Sequence, residues 1–216
     1  KIFPFLHDKF NEAGTVKNEY FWQDLIVARY IHSANPLLHV DIGSRIDGFV
    51  AHIASFRKIE VFDIRPIKDA IPGVVFRQVD LMDAESLIDI TSKGGYCDSI
   101  SCLHALEHFG LGRYGDPINN VGYKEGFENI VSILKPEGIF YLSVPIGKER
   151  VEFNANWVFN PKTILKLAQD NNLSVEKMTI FSNSRGLQEI EPLDSLVNEL
   201  SYEYYNLGIF IFKKIV

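Results

Sequence analysis

The sequence contains few cysteines and no long apolar segment. Cys97 and Cys102 are the two cysteines among 216 residues. Their odd separation places them on opposite faces of a strand, which argues against a mutual disulfide. Two unpaired thiols are typical of a reducing compartment, so a cytoplasmic location is expected. No apolar run reaches bilayer-spanning length and no secretion signal is apparent, so neither a membrane span nor a leader is predicted.

An excess of positive charge is also lacking, since the formal net charge is −6 at pH 7. Proteins that bind nucleic acid generally present a basic surface, so no nucleic-acid partner is expected. Hydrophobic residues make up 46% of the chain, enough for a substantial core. The length fits one α/β domain, residues 37–216, preceded by a helical extension, residues 1–36, that packs on it. Nothing in the sequence predicts the oligomeric state.

Apolar segments alternate with amphipathic ones along the chain. Strands are predicted at residues 37–43, 58–64, 74–81, 96–103, 139–144, 173–181 and 207–213. Helices are predicted at residues 19–33, 49–56, 124–135 and 161–170. The alternation predicts a three-layer αβα sandwich with a seven-stranded, mostly parallel sheet and an antiparallel strand near the C-terminus. Residues 182–206 are predicted to be a long loop, with a helix at 193–200, that could cover the cleft.

Acidic residues stand at the ends of the first three predicted strands. In an open α/β sheet, ligands bind beyond the carboxyl ends of the strands. Asp63 follows Gly43 by twenty positions, where a carboxylate can accept both ribose hydroxyls of an adenosine ligand. Asp80 could accept a hydrogen bond from an adenine amino group, with Leu81 beside the ring. Either acid alone could be a helix cap or a loop residue, but the ordered series with Asp41 favours a binding site.

This series resembles the class I S-adenosylmethionine-dependent methyltransferases, and the resemblance covers residues 37–216. Residues 134–145, LKPEGIFYLSVP, are similar to that family's L-K-P-G-G turn, apolar strand and V-P ending. Residues 106–108, LEH, resemble the motif after its fourth strand. The resemblance implies a Rossmann-like fold and S-adenosylmethionine as cofactor. The implied cofactor-binding residues are Asp41, Gly43, Ser44, Arg45, Gly48, Asp63, Asp80, Leu81 and His104.

The glycine turn departs from the family pattern D/E-x-G-x-G-x-G. It reads DIGSRIDG at residues 41–48, so Arg45 stands at the middle glycine position and Gly48 is displaced by one. Arg45 could contact the cofactor carboxylate or project into solvent. The departure leaves two hypotheses open: an active methyltransferase, or a catalytically degenerate binding domain. The turn also lacks the G-x-G-x-x-G spacing by which dehydrogenases bind NAD after their first strand, which argues against that class.

The segment at residues 104–117, HALEHFGLGRYGDP, resembles the signature of an uncharacterised methyltransferase-like family of unknown function, often encoded near surface-polysaccharide genes. Residues 20–25, YFWQDL, and residues 39–48 are similar to that family as well. The resemblance implies a small-molecule or glycan-related methyl acceptor. It equally accommodates a degenerate binding domain in a surface-polysaccharide pathway.

Three interpretations apply to His104, Glu107 and His108, the predicted catalytic residues. The spacing H-x-x-E-H matches some zinc peptidases, which need it on a helix. Some quinone-pathway O-methyltransferases hold a divalent metal with a similar motif here. We favour a metal-free site in which His104 lines the cofactor pocket, Glu107 orients the backbone and His108 packs under the loop, and within it either histidine could act as general base. The polar residues of the following loop are the predicted substrate contacts, or else they hold the loop shut: Arg113, Tyr114 and Asp116.

Overall fold

The computed structural model describes residues 1–91, 94–192 and 195–215. Its helices are α1 Glu19–Ala34, α2 Ala51–Ala54, α3 Gly122–Ile133, α4 Pro161–Asp170 and α5 Ser195–Leu200. Its strands are β1 His39–Ile42, β2 Ile59–Asp63, β3 Val74–Gln78, β4 Cys97–Leu103, β5 Leu134–Ile146, β6 Arg150–Glu152, β7 Asn156–Val158, β8 Leu173–Ser182, β9 Gly186–Ile190 and β10 Asn206–Lys214. No helix within these ranges has both the length and the apolar character needed to cross a membrane.

The main sheet has the strand order β3-β2-β1-β4-β5-β10-β8-β9. Strands β1 to β5 pair in parallel, whereas β10 lies antiparallel between β5 and β8. The predicted architecture is therefore confirmed, with an antiparallel strand near the C-terminus. The predicted count of seven strands is wrong, because the described chain forms eight in this sheet. The additional strand is β9, which pairs along the edge of β8 and has one buried residue, Ile190.

Two hydrophobic cores fill the space on the two faces of the sheet. On one face, the ring of Phe127 from α3 lies 5.4 Å from Phe140 of β5 and 6.4 Å from Phe212 of β10. On the other face, α1 buries Val27 and Ile31 in a second core. Helix α1 ends at a left-handed Asn35, whose backbone N–H donates to Ile31. Helix α1 is thus the part of the N-terminal extension that packs on the core, while residues 1–18 are exposed.

The segment at residues 182–206 differs from the predicted loop. It begins with the turn into β9 and then forms α5, which packs beside α4. Residues 193 and 194, the start of the predicted helix 193–200, lie outside the described residues. The segment lies on the β8 side of the sheet because β9 extends the edge there. A polar edge strand gives little alternation of apolar residues, which is why the sequence did not reveal it.

Candidate functional site

A cavity of about 530 Å³ opens at the carboxyl ends of β1 to β5, beside α1. Its size falls in the range of small-molecule sites, about 300–1,000 Å³. Asp41, Ser44 and Gly48 do not line it. The predicted site residues that do are Gly43, Arg45, Asp63, Asp80, Leu81, His104, Glu107, His108, Arg113, Tyr114 and Asp116.

The turn after β1 is held together by Asp41, which is fully buried. Its carboxylate accepts hydrogen bonds from the Ser44 amide at 3.1 Å, the Ser44 hydroxyl at 2.7 Å and the Ser101 hydroxyl at 2.6 Å. Burial raises the pKa of Asp41 to about 7. Gly43 follows with φ +67°, and a Cβ there would lie 3.0 Å from the Ala105 side chain. Asp41 and Ser44 therefore shape the turn, while Gly43 brings backbone to the cavity.

Helix α1 contributes an acid, Asp24, to the cavity lining. The carboxylate of Asp24 packs against Gly48, where a Cβ would lie 2.9 Å from Asp24 Oδ2. The amide of Gln23 donates to Asp24 Oδ1 at 3.1 Å, and burial raises the pKa of Asp24. Gly48 is thus required for close approach to Asp24. The sequence signal that we missed was two adjacent polar residues on the face of α1 that also carries Val27.

Arg45 lines the cavity mouth with its side chain largely exposed. Its guanidinium pairs with Asp47 at 2.8 Å and lies 5.8 Å from the ring of Tyr20. The arrangement combines the two alternatives posed by the sequence, because the side chain borders the cavity while it is also solvated.

Asp63, at the end of β2, is bound by an arginine two residues further on. Arg65 Nε donates to Asp63 Oδ1 at 2.9 Å, and its terminal nitrogen donates to Oδ2 at 2.6 Å. The same nitrogen reaches the Gly43 carbonyl at 3.3 Å. The guanidinium also lies 4.4 Å from the ring centre of Tyr114. Arg65, which was absent from the predicted site, therefore connects the ends of β1 and β2 to the loop after β4.

Asp80 lies two residues beyond β3 and also lines the cavity. Its Oδ1 accepts a hydrogen bond from the Met82 amide at 2.9 Å, which fixes the carboxylate in a tight turn. Leu81 beside it is buried, and its carbonyl accepts from the Asn129 side chain at 2.8 Å. This part of the cavity offers an acid next to apolar side chains, including Phe62.

His104 and Glu107 form a buried pair at the end of β4. His104 takes a left-handed conformation, φ +50°, and its Nδ1 donates to Glu107 Oε1 at 2.7 Å. Its Nε2 and Glu107 Oε2 are buried and have no hydrogen-bond partner among the described residues. Burial lowers the pKa of His104, but the charge and hydrogen bond of Glu107, together with the charges of Glu19 and Asp24, outweigh burial and raise the pKa overall. Both unpartnered atoms belong to residues that line the cavity.

His108 is hydrogen-bonded to the backbone of a neighbouring hairpin. Its Nδ1 donates to the Ala155 carbonyl at 2.7 Å, and Arg113 donates to the same oxygen at 3.0 Å. Ala155 and Asn156 enter the cavity wall from the hairpin formed by β6 and β7, which sequence analysis did not predict. The hairpin covers the cleft in place of the segment at residues 182–206, from which the described lining includes Tyr205 alone.

The loop after the His104–Glu107 pair is stabilised by Asp116. Its two carboxylate oxygens accept from the amides of Gly112 and Tyr114, each at 3.0 Å. Residues 110–115 have the spacing G-x-G-x-x-G, but they lie in this loop after β4 and not at the turn after β1. Asp116 thus fixes the conformation of the loop, and it lines the cavity together with Arg113 and Tyr114.

The peptidase interpretation of the H-x-x-E-H spacing requires an α-helix. Residues 106–108 form a single tight turn directly after β4, so that requirement is not met. Within the described ranges, no group of three or more His, Cys, Asp or Glu side chains is arranged to hold a metal ion.

Sequence comparison matches the chain to one protein family. The profile of a family described as Caenorhabditis protein of unknown function, DUF268, matches residues 77–184, which is half of the chain. The chain belongs to the DUF268 family. The matched region runs from the end of β3 to the turn after β8, so it includes the His104–Glu107 pair and the loop of Asp116. No curated protein sequence matches the DUF268 chain.

Solved structures share the fold at low sequence identity. The [4+2]-cyclase SpnF is 12% identical with a TM-score of 0.60, over 91% of this chain and 82% of SpnF. A Burkholderia thailandensis 1,6-didemethyltoxoflavin-N1-methyltransferase, solved with S-adenosylhomocysteine, is 11% identical with a TM-score of 0.58, over 93% and 80%. The CurJ carbon methyltransferase is 12% identical with a TM-score of 0.57, over 89% of this chain and 54% of CurJ. The DUF268 chain spans about half of CurJ, and it has the fold of class I methyltransferases.

Proposed function

We propose that the DUF268 chain is an S-adenosylmethionine-dependent methyltransferase whose cofactor binds in the 530 Å³ cavity. The observation that carries the proposal is the convergence of Asp63, Asp80 and the Gly43 backbone on one cavity that also contains the His104–Glu107 pair. A fold alone does not fix a reaction, as the cyclase among its neighbours illustrates. The proposal therefore rests on the donors and acceptors of this cavity.

We assign the cavity residues to successive parts of the cofactor. Asp63 would accept the ribose hydroxyls once Arg65 moves aside, and Asp80 with Leu81 would take the adenine. Asp24, rather than the enclosed Asp41, would face the ammonium group, because Asp24 lines the cavity. Arg45 at the mouth would face the carboxylate. When bound, S-adenosylmethionine supplies a methyl group already activated by its positive sulfur.

The chain's own part in catalysis would be to orient the acceptor and take its proton. Because His104 Nδ1 donates to Glu107, its Nε2 is the nitrogen left to accept a proton. We assign His104 as general base toward an acceptor hydroxyl and Glu107 as the residue that positions it. His104 Nε2 would take the proton of the acceptor hydroxyl, whose oxygen would bond to the methyl carbon as the sulfur–methyl bond breaks and S-adenosylhomocysteine leaves. His108 and Arg113, which both donate to the Ala155 carbonyl, would line the part of the cavity that holds the acceptor.

The acceptor class follows from the same reasoning. We propose a small, hydroxyl-bearing or glycan-related molecule, handled in the cytoplasm, with no metal in the reaction. The alternative hypothesis is a degenerate domain that binds the cofactor without turnover. One specific observation favours that alternative: Arg65 already donates to both oxygens of Asp63 and competes there with a ribose. Cofactor binding and methyl transfer must therefore be measured separately.

Calorimetric titration with S-adenosylhomocysteine tests the proposal. We expect saturable binding to the unaltered chain, strong loss in Asp63→Ala and Asp80→Ala, and no change in Asp170→Ala. Asp170 is an exposed acid paired with Lys166 on α4, away from the cavity, and is therefore a matched control. Absence of heat at millimolar ligand would contradict the proposal. Binding that is followed by no methyl transfer across a panel of hydroxylated acceptors would favour the degenerate domain.

A further inference from the structure

A second cavity, of about 520 Å³, lies between the start of α1 and the end of β8. We call it the polar cavity, because amide and hydroxyl side chains dominate its wall. The lining residues on which the argument depends are Glu19, Phe181, Ser182, Ser184, Tyr205 and Asn206.

The polar cavity adjoins the proposed methyl-transfer site. Tyr205 lines both cavities, and its hydroxyl donates to Glu19 Oε1 at 2.8 Å. Glu19 Oε1 in turn lies 3.7 Å from His104 Nε2. The Glu19–Tyr205 contact therefore lies between the polar cavity and the proposed base. One acceptor could therefore occupy both spaces if that contact parts.

The polar groups of this cavity are those that recognise uncharged hydroxyls. Asn206 is 1% exposed; its Nδ2 donates to Glu203 at 2.9 Å, while its Oδ1 has no partner among the described residues. A buried acceptor of this kind is costly unless a donor reaches it. The hydroxyls of Ser182 and Ser184 bond to each other at 3.2 Å and can do so with a ligand. Phe181 adds an apolar surface.

Charge in the wall argues for a neutral ligand. Among the described residues that line the polar cavity, one is basic, Lys17, and one is acidic, Glu19, so neither sign dominates. An anion would meet Glu19 and the unpartnered Asn206 oxygen, both of which are hydrogen-bond acceptors. A hydroxyl group can donate to either of them. The side-chain chemistry therefore favours a polyhydroxylated, uncharged group over a phosphate or an amine.

We propose that the polar cavity binds the uncharged, hydroxyl-rich body of the methyl acceptor, a sugar unit, while its reacting hydroxyl reaches His104. This inference rests on the proposed methyltransferase function. It assigns to Asn206, Ser184 and Tyr205 a role in acceptor binding that is independent of the cofactor residues.

Saturation-transfer NMR on the full chain with S-adenosylhomocysteine tests the inference. The probes are methyl β-D-glucopyranoside, glucosamine and glucose 6-phosphate, which are neutral, cationic and anionic. We expect saturation transfer to the neutral probe in the unaltered chain. This transfer should be lost in Ser184→Trp, because the tryptophan would fill the exposed rim of the polar cavity. Asn206→Leu should weaken the affinity for the neutral probe about fivefold, the effect expected for the loss of one hydrogen bond. Ser132→Trp, an exposed serine on α3, is the matched control and should leave the signal unchanged.

The outcomes separate the inference from the function on which it rests. If calorimetry detects S-adenosylhomocysteine but no sugar receives saturation, the inference fails and the proposed function stands. Equal transfer in Ser184→Trp and the unaltered chain, or a preference for glucose 6-phosphate, also overturns it. If S-adenosylhomocysteine itself does not bind, the proposed function fails and takes the inference with it. The exposed position of Ser184 keeps the test valid even if Asn206→Leu does not fold.

Discussion

Replacing Arg65 by alanine is expected to tighten the binding of S-adenosylhomocysteine. Arg65 donates to both oxygens of Asp63 at 2.9 and 2.6 Å, so its guanidinium competes with ribose hydroxyls for the carboxylate. Hydrogen bonds to a charged group contribute about 1.5–3 kcal/mol each, whereas exposed ion pairs contribute about 0.2–1 kcal/mol. The Arg65 side chain is 44% exposed, so solvent screening brings the cost of displacement toward ~1 kcal/mol. That cost corresponds to roughly fivefold in affinity.

Calorimetry on three chains measures this effect. Arg65→Ala should bind about fivefold more tightly than the unaltered chain. Arg77→Ala is the matched control, because the Arg77 side chain is also 44% exposed and pairs with an acid, Glu60 at 3.8 Å, outside the cavity lining. It should bind as the unaltered chain does. Weaker binding in Arg65→Ala would refute the reasoning and make Arg65 a ligand-binding group.

Three further predictions follow from the packing and charge around the site. Glu107→Gln should lower the pKa of His104, measured by NMR titration, because Glu107 is the main group that raises it. The stability that this raised pKa confers is present below the unfolded value, about 6.5, and is lost as pH rises through the folded pKa; the variant should lose that pH dependence. Gly126→Ala should destabilise the fold by about 1–2 kcal/mol in urea titrations, since its Cβ would lie 2.3 Å from the Phe109 ring. Phe127→Ala should cost about 3–5 kcal/mol because the ring is fully buried.

Each of these predictions has a control within the chain. His39 is buried between Ser99 and Ser101, and burial lowers its pKa to about 3, so its resonances should not titrate near neutral pH in either protein. Glu128→Ala, at an exposed position of α3, should change stability little. An unchanged His104 titration in Glu107→Gln would contradict the assigned pair. A stabilised Gly126→Ala would show that helix propensity outweighs contact with Phe109.

The parallel half of the fold was predictable because its strands are buried on both faces and read as apolar runs. The β5 run around Phe140 and the amphipathic face of α3 around Phe127 are examples. The edge strand β9 and the β6–β7 hairpin were missed, since short polar strands have no such pattern. Their pairing depends on neighbours that are distant in sequence.

The site was predictable by position and less so by orientation. The predicted strand limits place Asp63 and Asp80 at the carboxyl ends of β2 and β3, and both residues line the cavity. Asp41 lies inside β1, opposite Val61, and hydrogen bonds from Ser44 and from Ser101 on β4 hold its carboxylate in the interior. Asp24 reaches the cavity from α1 through a tertiary contact with Gly48, which leaves no spacing rule in the sequence. Arg65 stands two residues after Asp63, and that spacing alone does not indicate that its side chain folds back on the carboxylate.

A crystal structure of the chain with S-adenosylhomocysteine tests the central claim most directly. We predict adenine beside Asp80 and Leu81, ribose on Asp63 with Arg65 displaced, and the sulfur facing His104. Ligand bound elsewhere, or an empty cavity with the Asp63–Arg65 pair intact at saturating ligand, would contradict the assignment of this cavity as a cofactor site.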